Sequence, residues 1–465
     1  MLFNSFEFIL FFLPITLIVY FLLNKQRLVV ASKAWLVFAS LFFYSWWNIK
    51  YLPLILCSII FNFSIGIILR KDNANKYKLL SNKNILIFAI ICNLLLLGFY
   101  KYSDFFISNV NNLADFDFSL LHIILPLGIS FFTFTQIAYL VDAYKGKVKD
   151  TNYLNYSLFV TFFPHLIAGP ILHHSEIMPQ FDDIKRKIID NKNLILGLSL
   201  FSIGLFKKVV IADTLSVSVN DGYNATANLN MFAAWTLSLS YTFQLYYDFS
   251  GYTDMALGMS KMFNINLPIN FNSPYKATSI QDFWRRWHIT LTRFLRDYIY
   301  IPLGGNRKGE LKTCINLVVT FLLGGLWHGA GWGFIIWGLL HGFALVVNRL
   351  WRKLGIKMNS YVAWFITFNF VNIAWVFFRA PNMCDTFNVI KAMFGFNGDA
   401  FTNILGRKIA LITFGLLLLT LILQNSMQII NDYKPKWNNA VLIAIIFVLA
   451  VCSLNKISEF LYFQF

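Results

Sequence analysis

Apolar runs long enough to cross a lipid bilayer recur along almost the whole chain, and this feature limits the possible folds most. They lie at about 5–23, 30–47, 51–69, 84–100, 119–141, 156–173, 193–212, 231–247, 316–326, 333–348, 361–378, 409–424 and 439–455. Spanning hydrocarbon takes about 17–25 residues as a helix, and backbone groups in lipid must bond within the chain. A lipid-facing barrel would need short alternating segments, which the sequence lacks. The expected fold is therefore an all-α polytopic membrane protein with about 11–13 membrane segments, the shorter runs counted as re-entrant helices. Composition agrees, since 57% of the residues are hydrophobic and 13% charged, against about 25% charged in soluble domains. No hydrophilic stretch is long enough for a second domain, so residues 1–465 are read as one membrane domain.

The formal charge of +17 would suggest nucleic acid in a soluble protein. In a polytopic chain it reads instead as Lys and Arg held in cytoplasmic loops facing anionic lipid, with no nucleic-acid partner. Lys25, Arg27 and Lys33 follow the first run; Arg70, Lys71, Lys76, Lys78 and Lys83 follow the third; Lys145, Lys147 and Lys149 follow the fifth. The loop at 101–118 has Asp104, Asp115 and Asp117 against Lys101. This alternation puts the N-terminus outside the cytoplasm. Cys57, Cys92, Cys314, Cys384 and Cys452 stand far apart, which gives neither a zinc site nor a disulfide framework, and no metal is expected.

Residues 248–312 are the least lipid-like part of the core. They contain Asp248, Asp254, Lys276, Asp282, several arginines and the helix-hostile string INLPINFNSPY at 265–275. Such a stretch must be shielded by protein or lie at an interface, which predicts a broken, partly re-entrant centre.

Two histidines are the main candidates for chemistry. His328 ends an apolar run in GGLWHGAGWG, and an ionisable side chain at membrane depth suggests function by default; the competing reading is a packing histidine at a helix crossing. His288 lies in QDFWRRWHITLTRFLRDYIYIPLGG, where helical periodicity puts it on one face with Trp284, Leu291 and Leu295, and Arg286 with Arg293 on another; the competing reading is a packing residue beside the two tryptophans. Arg285, Arg286, Arg293 and Arg296 could hold a phosphorylated donor or acidic lipid, or simply form a solvated cytoplasmic edge. His165, in FFPHLIAGPI, is a weaker candidate for a substrate path; Asp248 and Asp254 could orient a histidine or form structural ion pairs. His122, His173, His174 and His341 have no constellation around them in the sequence. Imidazole can take a proton from a hydroxyl near neutral pH, as acyl transfer requires, yet proton-coupled transport also uses intramembrane histidines.

The strings FFPHLIAGPI at 162–171, YYDFSGYTDMALG at 246–258, FNSPYKATSIQDFWRRWHITLTRFLRDYIYIPLGGNRKG at 271–309 and LWHGAGWGFIIWGLLHG at 326–342 resemble the membrane-bound O-acyltransferase family. Within it they resemble the bacterial branch of alginate and peptidoglycan O-acetyltransferases, and the likeness extends to the terminal YFQF at 462–465. The resemblance implies a helical bundle around a central tunnel in the bacterial cytoplasmic (inner) membrane. Acetyl-CoA would be the acyl donor on the cytoplasmic side, and the acceptor an extracytoplasmic polysaccharide. A separate extracytoplasmic glycan O-acetyltransferase or relay protein would be a partner. The family's near-invariant histidine falls on His328 and its second position on His288, while Arg285, Arg286, Arg293 and Arg296 become donor-phosphate contacts. The rival readings are D-alanyl transfer to teichoic acid, transport of a lipid-linked sugar, and a structural membrane role.

Overall fold

The computed structural model describes residues 1–70, 81–396, 406–433, 436–454 and 460–461, and these contain helices and no strand. Lys71, Lys76, Lys78 and the terminal YFQF at 462–465 lie outside the described residues. Seven helices among the described residues are long and apolar enough to cross a membrane: Glu7–Lys25, Ile49–Leu69, Asn82–Ala114, Asn191–Asn224, Glu310–His328, Trp332–Lys353 and Ser360–Arg379. Val29–Ser45 and Trp437–Cys452 are shorter apolar helices.

Several expected runs change shape where backbone chemistry intervenes. The run at 119–141 becomes helical only from Ile129, after Pro126 and after Gly128, whose φ of 69° is left-handed. The run at 156–173 splits into Tyr153–Thr161 and the single turn Phe163–Leu166. Phe162, with ψ of 107°, makes the break two residues before Pro164. Met231–Met262 is one helix of 32 residues that takes in the whole YYDFSGYTDMALG string. The helix-hostile string at 265–275 carries no helix until its last two residues, where the short 3-10 turn Pro274–Lys276 begins.

The chain divides into two compact groups of residues, 1–201 with 252–268, and 202–251 with 269–465. Within the first, a polar ladder ties four helices together. Asn62 and Asn93 exchange side-chain bonds of 3.1 and 2.7 Å. Gln136 donates to Ser58 Oγ at 3.0 Å, and Tyr156 donates to Gln136 Oε1 at 3.2 Å. Such bonds hold helices together in an environment where apolar contact alone gives little preference. Lys33 is buried and bonded to Asp182 and to Asn155 Oδ1.

In the second group, Glu310–His328 and Trp332–Lys353 form a tight antiparallel pair built on glycine. A Cβ at Gly338 would stand 2.5 Å from the Phe321 carbonyl oxygen, and one at Gly342 would stand 2.9 Å from Val318 Cα. Both obstacles are backbone atoms, so no rotamer change relieves them. Gly338→Ala is expected to cost about 1–3 kcal/mol or more, read as a lower melting temperature and less folded protein in membranes. Gly415→Ala, where nothing lies within 4 Å of the new atom, should be tolerated.

Candidate active site

The glycine-packed pair turns at its tip, and His328 is the last residue of the Glu310–His328 helix. Gly329 and Gly331 then continue in extended conformation before the next helix starts at Trp332. His328 is 3% exposed. Its ring lies 4.9 Å from Trp327, 5.1 Å from Trp337 and 5.2 Å from Phe378, measured between centroids, so aromatic rings form much of its wall.

His288 reaches the same place from a different segment. The helical period expected to carry Trp284, His288, Leu291 and Leu295 on one face is interrupted. Ile280–Arg286 ends, Trp287 is extended, and Ile289–Leu295 begins with His288 as its N-cap. His288 has φ 42° and ψ 53°, a left-handed conformation that costs a non-glycine residue about 1–2 kcal/mol. The shared face proposed for Trp284, His288, Leu291 and Leu295, and that for Arg286 and Arg293, therefore do not run through this break, because the 3.6-residue period is interrupted.

Asn270 holds the break in shape. Its backbone oxygen accepts from Ile289 N at 3.0 Å. Its Oδ1 accepts from Thr290 N at 3.1 Å and from Thr290 Oγ1 at 2.9 Å, and meets His288 Nδ1 at 3.1 Å. A backbone N–H can only donate, so the Asn270 atom facing it is the oxygen. That oxygen requires a proton on His288 Nδ1, which in the neutral ring leaves the lone pair on Nε2, the arrangement of a base. His288 is 0% exposed, with Phe249 edge-on at 4.8 Å and Trp327 at 6.1 Å. The His288 and His328 rings lie 6.3 Å apart at 61°. The tertiary structure thus brings together two histidines separated by 40 positions in the numbering.

The other candidates are more scattered. Arg285 is exposed. Arg286 bonds Asp282 at 2.9 Å, Arg296 makes a two-bond contact with Asp297 at 2.7 and 3.0 Å, and Arg293 is half-buried. Asp248 forms a structural ion pair with Lys208 at 2.5 Å, one of the two roles expected for it, and Lys208 also meets Asp213 at 2.9 Å. Asp254 and His165 are buried, the latter on the Phe163–Leu166 turn. His173 and His174 flank Asp142 at 4.0 and 3.4 Å. Among the described residues no group of three or more His, Cys, Asp or Glu is placed to hold a metal ion.

Sequence reasoning missed Asn270, which lies 18 residues from His288, and missed the surroundings of His341. Trp284 Nε1 donates to His341 Nδ1 at 3.2 Å, and Trp337 lies 4.7 Å from His341 and 5.1 Å from His328. The spacing of Trp337 and His341, one helical turn apart, was the available signal.

Residues 8–384 match the sequence model of MBOAT, the membrane-bound O-acyltransferase family. The chain belongs to this family. It is accordingly an O-acyltransferase that uses an acyl donor. A peptidoglycan O-acetyltransferase of Helicobacter pylori is 50% identical over 428 residues, covering 86% of this chain and 80% of the relative. A probable alginate O-acetylase AlgI of Pseudomonas putida is 37% identical over 500 residues, covering all of both chains. A teichoic acid D-alanyltransferase of Streptococcus thermophilus is 28% identical over 284 residues, covering 54% of this chain and 68% of the relative.

Asn270→Ala in this O-acyltransferase would take an acceptor from three donors at once. Each buried donor left unpaired costs about 1–3 kcal/mol. The variant should melt clearly below the wild type in detergent, whereas Asn270→Asp, which keeps an acceptor oxygen, should recover most of the loss.

Proposed function

We propose that this protein moves acetyl groups from cytoplasmic acetyl-CoA across the cytoplasmic membrane for O-acetylation of an extracytoplasmic polysaccharide, a peptidoglycan or an alginate-like exopolysaccharide. The observation that carries this reading is the pair of buried imidazoles, His288 and His328, 6.3 Å apart within an aromatic shell. Peptidoglycan and alginate O-acetylating relatives match far more of the chain, at higher identity, than the teichoic acid D-alanyltransferase, which favours acetyl over D-alanyl transfer.

His328 acts as general base. It takes the proton of the accepting hydroxyl, whose oxygen attacks the thioester carbonyl of the donor. The tetrahedral intermediate then expels the CoA thiolate, which recovers the proton from the imidazolium, and an ester remains. His288, with its lone pair on Nε2, orients the reacting groups. The aromatic shell keeps water from competing for the acyl group. Both rings are buried in this state, so substrate reaches them when the surrounding side chains move aside, a gating step of a kind common in enzymes.

Among the arginines, exposed Arg285 is the readiest contact for donor phosphates, because Arg286 and Arg296 already bond Asp282 and Asp297. The first acceptor is the glycan itself or a hydroxyl on an extracytoplasmic glycan O-acetyltransferase or relay protein. The N-terminus lies outside the cytoplasm, following the Lys and Arg bias of the loops.

His328→Ala should lower O-acetyl transfer by about 10²–10⁴ while the protein still inserts in the membrane at a level near wild type. Mass analysis of cell-wall and exopolysaccharide esters reads this directly, and unchanged ester content would remove the assignment. In reconstituted vesicles labelled acetyl should appear on an acceptor. Movement of free labelled sugar without ester formation would favour transport instead.

A further inference from the structure

The ion cluster around Lys208 contains a carboxylate whose second oxygen has an unexpected partner. Asp248 is 1% exposed; its Oδ1 meets Lys208 Nζ at 2.5 Å, and its Oδ2 accepts the backbone N–H of Leu461 at 3.2 Å. Lys208 also faces Asp213 at 2.9 Å, so one ammonium serves two buried carboxylates. A buried carboxylate is costly unless donors surround it, and the Leu461 N–H is one of those donors. Residues from the far end of the chain are thus held by a directed bond as well as by apolar burial.

The adjacent residue connects this anchor to the histidines. Phe249 follows Asp248 on the Met231–Met262 helix. The Phe460 ring, itself buried, lies 6.0 Å from the Phe249 ring at 59°, and the Phe249 ring meets His288 edge-on at 4.8 Å and 85°. Phe249 also packs on Phe271 at 5.0 Å, next in sequence to the Asn270 that bonds His288. Two neighbouring residues on one helix therefore take separate tasks, with Asp248 fixing Phe460–Leu461 and Phe249 serving as a wall of the His288 ring.

We propose that Asp248 is a positioning residue: by binding the Leu461 N–H it seats Phe460 against Phe249 and so fixes the His288 imidazole for acyl transfer. The catalytic consequence rests on the assignment of His288 to the reaction, whereas the positioning of the ring does not.

Two readouts separate these claims. The first is the NMR resonance of the His288 imidazole in histidine-labelled protein, assigned by its loss in His288→Asn. The second is kcat and KM for acetyl transfer. Leu461→Pro removes the donor N–H, and Leu461→Ala keeps it. Leu461→Pro is expected to shift the His288 resonance and lower kcat at least tenfold, with donor KM changed less than twofold, while Leu461→Ala stays near wild type in both. Phe460→Ala should reproduce the Leu461→Pro effects without touching the anchor, and Phe460→Tyr should rescue them. An unshifted resonance in both Leu461→Pro and Phe460→Ala, or equal losses in Leu461→Pro and Leu461→Ala, would overturn the proposal. A shifted resonance in Leu461→Pro, together with full transfer activity in His288→Ala, would instead keep the positioning and remove His288 from the reaction.

Discussion

A peptide group inside hydrocarbon has no water to bond, so wherever a membrane helix stops, something else must satisfy its backbone. Both candidate catalytic histidines sit where a helix stops, His328 at the end of a candidate membrane span and His288 between two short helices. His328 ends one helix at an extended glycine. His288 occupies a left-handed residue between two short helices, where Asn270 supplies acceptors to Ile289, Thr290 and the imidazole itself. A regular helix would leave no free backbone there and would carry its side chains at fixed angular intervals. The interruption lets His288 reach the neighbourhood of His328. It also requires Asn270, which serves the fold and the orientation of the ring with the same oxygen.

Buried polar residues elsewhere divide into similar roles. The bonds among Ser58, Asn62, Asn93, Gln136 and Tyr156 fix helices against one another. Each is modest in energy, but in lipid they supply directionality that apolar surfaces lack. The Lys208, Asp213 and Asp248 cluster is of another kind, because buried charge is expensive and a bare hydrophobic substitute would often be no less stable. Its presence fits a role in placing a specific segment, here Phe460–Leu461, rather than in adding stability.

The lipid-spanning character and the helical class were legible because each depends on local composition, whereas the broken centre expected over 248–312 begins only after Met262, the residues before it being helical. Helical periodicity does not extend across segments that distant contacts interrupt. The period running from Trp284 to Leu295 breaks at Trp287–His288, since the Asn270 contacts that stabilise the break come from a segment 18 residues away. The arginines looked like one patch in the sequence, yet Arg286 and Arg296 turned out to have local carboxylate partners. His341 looked isolated until Trp284, 57 residues earlier, was found bonded to it.

By itself, then, the sequence determined the solvent and the helical class, because partition into lipid and backbone satisfaction act on a window of about twenty residues. It also determined which side chains could do proton chemistry. Only the tertiary structure decided that His288 and His328 share an aromatic enclosure, which nitrogen of His288 carries its proton, and that Asp248 binds a residue 213 positions away. Those outcomes depend on side chains meeting across distant segments, and such meetings are set by the packing of helices rather than by any local pattern of residues.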